Sequence, residues 1–214
     1  MYQRFDIEQW SRKATYNYFK NFENPFFNIC FNLNIGALYK CCKTAGISIN
    51  HALHYCSLMA ANDTLEFRLR IKDNEVVCCP YLDGGGVVLL ADNSIRFCLY
   101  PYDTDYAVFQ KAAVEREEEV KRTGVSNLDA TQPHVIYYSV IPWLSFTSIS
   151  QPRTRNENDS IPKITFGKYF EAAATWQIPV SVEVHHALMD GYQIHQFVLA
   201  FEQQLAAFVA AHTK

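Results

Sequence analysis

The stretch from Ile178 to Ala210 constrains the fold more than any other. Residues 178–186 read as an apolar strand and residues 190–210 as a helix, with three residues between them. Ile194, Phe197, Val198, Phe201, Leu205 and Phe208 recur at three- and four-residue spacing and share one face of that helix. A face of that length must be buried.

Upstream, the two periods alternate. Helical spacing predicts helices over 8–22, 36–44, 49–61 and 103–122. Apolar and polar alternation predicts strands over 26–35, 67–71, 75–82, 87–91, 95–100, 135–140 and 164–174. Asp83-Gly84-Gly85-Gly86 reads as a hairpin turn. It lacks the lysine, the Ser/Thr and the helix of a phosphate-binding loop. Residues 151–161 (QPRTRNENDSI) read as an exposed loop. No parallel strand–helix–strand series stands out, so the expected class is α/β or α+β with a mixed sheet, in a single domain over 1–214.

Composition narrows the function classes. Of 214 residues, 49% are hydrophobic and 19% charged, which is ample to bury a core and rules out a disordered chain. Lys and Arg number 19 against 22 Asp and Glu, a net charge of −3. No broad basic field exists to attract nucleic acid. No apolar run approaches the roughly 20 residues of a membrane-crossing helix. The seven cysteines are odd in number and include no C-x-x-C pair, and the first residues lack an apolar signal core. These point to a reduced, cytoplasmic protein.

The chemistry sits where the last strand meets the last helix, in His185-His186-Ala187-Leu188-Met189-Asp190-Gly191. Successive strand side chains point to opposite faces, so one histidine can enter the core while the other meets a cleft. For the same reason the pair cannot easily share one metal ion. Asp190 falls at the helix start, where free N–H groups favour a carboxylate. Taken alone, a strand-end histidine is more often a satisfied core residue and such an aspartate only a cap. His51 and His54, with Cys56 nearby, lack a fourth ligand in register.

These residues match the H-H-x-x-x-D-G signature of coenzyme A-dependent acyltransferases, and the rest of the chain resembles the chloramphenicol acetyltransferase family. Gln9-Trp10-Ser11-Arg12-Lys13 resembles its Q-W-x-R-K segment. Leu65-Glu66-Phe67-Arg68 with Ile71-Lys72-Asp73 resembles its E-F-R hairpin region. Residues 139–148 (SVIPWLSFTS) resemble its S-x-x-P-W-x-S-F-T-S segment, and Thr165-Phe166-Gly167-Lys168-Tyr169 its T-x-G-K-Y strand. Condensation domains, which share the signature, are about twice this long. Dihydrolipoyl acyltransferases, which carry a related form, usually add lipoyl and linker segments.

The resemblance implies a two-layer α/β sandwich that assembles as a homotrimer with active sites between subunits. It implies transfer of an acetyl group from acetyl-CoA, as co-substrate, to a hydroxyl of chloramphenicol or a similar small molecule, without a metal. His186 matches the general base, Ser139 the hydroxyl that stabilises the tetrahedral intermediate, and Thr165 a threonine acting through ordered water. Asp190 matches the acid that holds the site and Arg12 its partner. Trp143, Lys168 and Tyr169 match positions near coenzyme A. Phe19, Phe27 and Ile149 fall at the acceptor pocket. These residue types suit the reaction, because a hydroxyl is a poor nucleophile until a base takes its proton. The departures cluster on the acceptor side. Ile149-Ser150 replaces the usual Phe-Asp, a cysteine position falls near Pro25, and a coenzyme A lysine falls at about Ser48. A different hydroxyl or amine acceptor, and a catalytically silent trimeric binding protein, are the other readings.

Overall fold

A computed structural model of the chain describes residues 2–129, 132–153 and 159–213. The elements run β1 (Gln3–Arg4), a single 3-10 turn (Ile7–Gln9), α1 (Lys13–Phe19), β2 (Phe26–Asn34), α2 (Gly36–Ala45), α3 (Ile49–Asp63) and α4 (Leu65–Arg68). Then follow β3 (Leu69–Lys72), β4 (Glu75–Cys78), β5 (Asp83–Leu89), β6 (Ile95–Tyr100) and α5 (Tyr106–Thr123). The chain closes with β7 (Val135–Val140), β8 (Lys163–Phe166), β9 (Phe170–Ala172), β10 (Thr175–His185) and α6 (Gly191–His212).

Among the described residues, β2, β10, β8, β7, β5 and β6 form the large sheet in that order, with β9 paired to β10. β7 runs parallel to β5 and β8, while β10 is antiparallel to β2 and β8. The sheet is mixed, as expected. A small sheet, β1-β4-β3, stands beside it. The buried Arg70 on β3 ties the two together. Its guanidinium donates to the carbonyls of Phe67, Leu69, Pro133 and Val135, the last on β7. Desolvation lowers its pKa to about 10, yet it stays charged near neutrality.

Alternation decides which residues enter the core. Ile164 and Phe166, Ile178, Val180, Val182 and Val184, and Ile136 and Tyr138 pack with Phe197, Phe201, Leu205 and Phe208 of α6 and with Leu53 and Cys56 of α3. The odd-numbered partners on these strands, Tyr137, Ser139, Thr165, Ser181 and Glu183, occupy the other face. The segment after β7 crosses that face. Asn28 Nδ2 donates to Ile149 O at 2.7 Å, Gln151 Nε2 to Thr165 Oγ1, and Arg153 Nε to a Glu183 carboxylate oxygen.

Several sequence expectations need correction, among them the strand over 75–82, which ends at Cys78. Residues 83–86 are not a turn but the first half of β5, paired on both sides. A Cβ on Gly86 would lie 2.3 Å from the Tyr100 ring, and one on Gly85 2.8 Å from Leu128. The glycines make room for neighbours rather than bend the chain. The helix over 8–22 breaks at Trp10 into the 3-10 turn and α1. The strand over 164–174 divides at Gly167, where Leu144 O and the Phe146 ring press against the backbone. The ends of the 151–161 loop are not free surface. Arg153 donates to Glu183, Asp159 and Ile161 O, and Ser160 is fully buried. Residues 154–158 of that loop lie outside the described residues.

Candidate active site

β10 carries the two histidines to the end of the sheet, where they part. His185 is 3% exposed, meets Phe26 edge-on, and accepts the Ala187 amide on Nδ1 at 3.2 Å. Desolvation lowers its pKa to about 4, so it is neutral near pH 7. His186 is only half-buried. The Phe19 ring lies flat on its imidazole, with centroids 3.9 Å apart and planes 8° apart, and Phe27 packs at 4.5 Å. Its Nδ1 is buried without a hydrogen-bond partner among the described residues. Aromatic contact therefore sets the ring's orientation.

The turn after His186 is held by Arg12. This side chain, 8% exposed, pairs with Asp190 through Nη1, which also donates to Gln193 Oε1 at 3.2 Å. Nη2 donates to His186 O at 3.2 Å. Asp190 is the N-cap of α6. It accepts the Tyr192 amide, and Gln193 closes a capping box by accepting the Asp190 amide. Desolvation raises the Asp190 carboxyl, but the Tyr192 amide and Arg12 outweigh it and hold the pKa below the usual carboxylate value. One arginine thus fixes the cap, the capping-box glutamine and the backbone of His186. Gln193 was not foreseen, although its place three residues after Asp190 is the capping-box signal.

The remaining candidates form a second group. Ser139, Thr165 and Ser181 face one another across β7, β8 and β10. Thr165 is fully buried and accepts from Gln151, which sequence reasoning also missed. Ile149 lies beside this row, held by Asn28. Lys168 and Trp143 occupy segments stitched together by Lys168 N to Leu144 O and Ser145 Oγ to Lys168 O, both 2.8 Å. Trp143 is 64% exposed and Lys168 is exposed, while Tyr169 packs edge-on against Tyr39 and Trp176. An exposed indole and an exposed lysine on two joined segments suit a ligand with apolar and anionic parts.

The two groups do not meet within one chain. His186 follows the end of β10, five positions past Ser181, and Ser139 lies two strands across from Ser181. To His185, where β10 ends, that is roughly 13 Å along the strand, with roughly 10 Å more across the sheet.

This architecture is that of a class of acyltransferases. A dihydrolipoamide acetyltransferase from Azotobacter vinelandii shares it with a TM-score of 0.69, covering 92% of this chain and 88% of its own; at 14% identity the likeness concerns the fold alone. A solved chloramphenicol acetyltransferase superposes with a TM-score of 0.83 at 27% identity, over 96% of this chain and 100% of the other. The sequence profile described as chloramphenicol acetyltransferase matches residues 1–202, and the chain belongs to that family. Curated relatives include the chloramphenicol acetyltransferase of Proteus mirabilis, 26% identical over 92% of each chain. That of Clostridium perfringens is 27% identical over 90% of this chain and 89% of its own.

Proposed function

We propose that the chain, as one domain, transfers the acetyl group of acetyl-coenzyme A to a hydroxyl of chloramphenicol. The family match over residues 1–202 carries this reading. His186 takes the hydroxyl proton as the acceptor oxygen attacks the thioester carbonyl. A carbon–oxygen bond forms, the carbon–sulfur bond breaks, and the departing thiolate recovers the proton from the imidazolium. Ser139 donates to the oxyanion, and Thr165 supports it from the next strand. Arg12 and Asp190 hold the His186 turn without touching substrate. Trp143, Lys168 and Tyr169 hold coenzyme A, and Phe19, Phe27 and Ile149 line the acceptor pocket.

The separation of His186 from Ser139 supports a site built from two copies of the chain, with the base from one and the oxyanion donor from its neighbour, in a homotrimer. All seven cysteines are free, which supports a reducing cytoplasmic setting. No helix among the described residues is long and apolar enough to cross a membrane.

Thiol release from acetyl-coenzyme A with chloramphenicol and a panel of hydroxyl and amine acceptors tests the reading. Chloramphenicol should support turnover and His186→Ala should abolish it. A folded chain active only on another acceptor would overturn the substrate, and a fully active His186→Ala variant the mechanism. Sedimentation at assay concentration should show a trimer; a monomer that turns over would remove the shared site.

A further inference from the structure

From the bond between Gln151 and Thr165 we infer that Gln151 is a positioning residue that sets the direction of the Thr165 hydroxyl, a role that rests on the acetyl-transfer reading above. A threonine hydroxyl has one proton and two lone pairs and can turn to suit its neighbours. At Thr165 one lone pair is taken, because Gln151 Nε2 donates to Oγ1. The hydroxyl proton then points away from Gln151 and remains available for donation. Its surroundings give that proton a use. Ser139 lies directly opposite on β7, on the same face of the sheet. Ser181, opposite on β10, already donates its own proton to Asn28 Oδ1 at 2.8 Å. Thr165 is fully buried, so no ligand oxygen lies against it, and its proton is left for the Ser139 hydroxyl beside it on the neighbouring strand, through which it bears on the oxyanion.

Gln151 is held for this purpose at both sides. Two residues before it, Ile149 O accepts from Asn28 Nδ2 at 2.7 Å. Immediately after it, Pro152 O accepts from Lys163 Nζ, and Arg153 is fixed to Glu183 and Asp159. Gln151 is half-buried, and its side-chain amide reaches the strand row at Thr165 Oγ1. An amide is suited to this task because it can donate. A carboxylate of the same shape can only accept, and would turn the Thr165 proton back toward itself.

That difference gives the test. Gln151→Met and Gln151→Glu keep the volume of the side chain, and Thr165→Val that of the threonine. Steady-state thiol release is measured on the wild type, the three single variants and the two double variants, each checked for its thermal midpoint. Gln151→Met should lower kcat roughly three- to tenfold, the worth of one neutral hydrogen bond, with KM for acetyl-coenzyme A unchanged. Gln151→Glu should lower kcat further. In the Thr165→Val background both substitutions should change kcat less than about twofold, because the group they act through is gone. Gln151→Glu as active as Gln151→Met, equal losses with and without the Thr165 hydroxyl, or a loss confined to the KM of the acceptor would each overturn the role. A folded wild-type chain inactive on every acceptor would instead sink the acetyl-transfer reading, and this role with it.

Discussion

At the scale of residues, the two neighbouring histidines show how the end of a strand divides labour. His185 is enclosed and neutral, while His186 is clamped between two phenylalanine rings. Neither arrangement would survive a free turn after the strand, and Arg12 is what fixes that turn. Asp190→Ala removes the cap of α6 and leaves a nearly buried guanidinium without its carboxylate. The loss of the cap costs about 1 kcal/mol and the stranded charge adds to it. We expect a total of about 2–4 kcal/mol in urea unfolding and a parallel fall in turnover. Asp190→Asn should recover part of the stability, because an asparagine still caps, but not the ion pair. Full stability in Asp190→Ala would remove the structural role of the pair.

At the scale of elements, sequence periodicity located α2, α3, α5, α6, β2, β6 and β7 within a few residues. In α5 and α6 one face is buried, which periodicity reports, while α3 is buried nearly all round and was marked by its run of apolar residues. Periodicity failed where a third partner decided the backbone. Three glycines in a row signal a turn, yet the rings of Tyr100 and Tyr137 and the Leu128 side chain fill the space that side chains on a strand would need. Residues 65–68 read partly as strand but close one helical turn before β3, and the buried Arg70 immediately follows. Nothing local announces that an arginine will be sealed among carbonyls from two sheets. The candidate site was legible to the same degree. The histidine motif marked His186 and Asp190, and the family pattern marked Arg12, Ser139 and Thr165. Gln151 and Gln193 carry no pattern of their own beyond the capping-box spacing, because their partners lie 14 and 181 positions away in the chain.

At the scale of the whole molecule, the core encloses ionisable groups whose neutral form the fold prefers. His54 is 2% exposed and donates from Nδ1 to Asn50 O at 2.8 Å, and desolvation lowers its pKa to about 4. His185 is lowered to about 4 by the same cause. In the unfolded chain both take up a proton near pH 6.5. Their contribution to stability is therefore complete above about pH 6.5 and is lost as the pH falls toward 4. Each histidine accounts for about 3 kcal/mol over that interval. Urea midpoints should fall steadily from pH 7 to pH 5, and His54→Gln should flatten the decline. A midpoint that stays level between those values would show that neither imidazole is held neutral by the fold.

The distance between His186 and Ser139 within one chain has a consequence for mixtures. If each site takes its histidine from one copy and its serine from the next, the two halves can be damaged in separate polypeptides. His186→Ala and Ser139→Ala preparations, each inactive alone, should complement when unfolded together and refolded. Random assembly in a closed ring of three leaves about a quarter of the sites with both groups intact, so about a quarter of the wild-type rate should return. Mixing the same two proteins after assembly should restore nothing until subunits exchange, which makes the return of activity a clock for dissociation. Failure to complement on joint refolding would place base and oxyanion donor in the same chain.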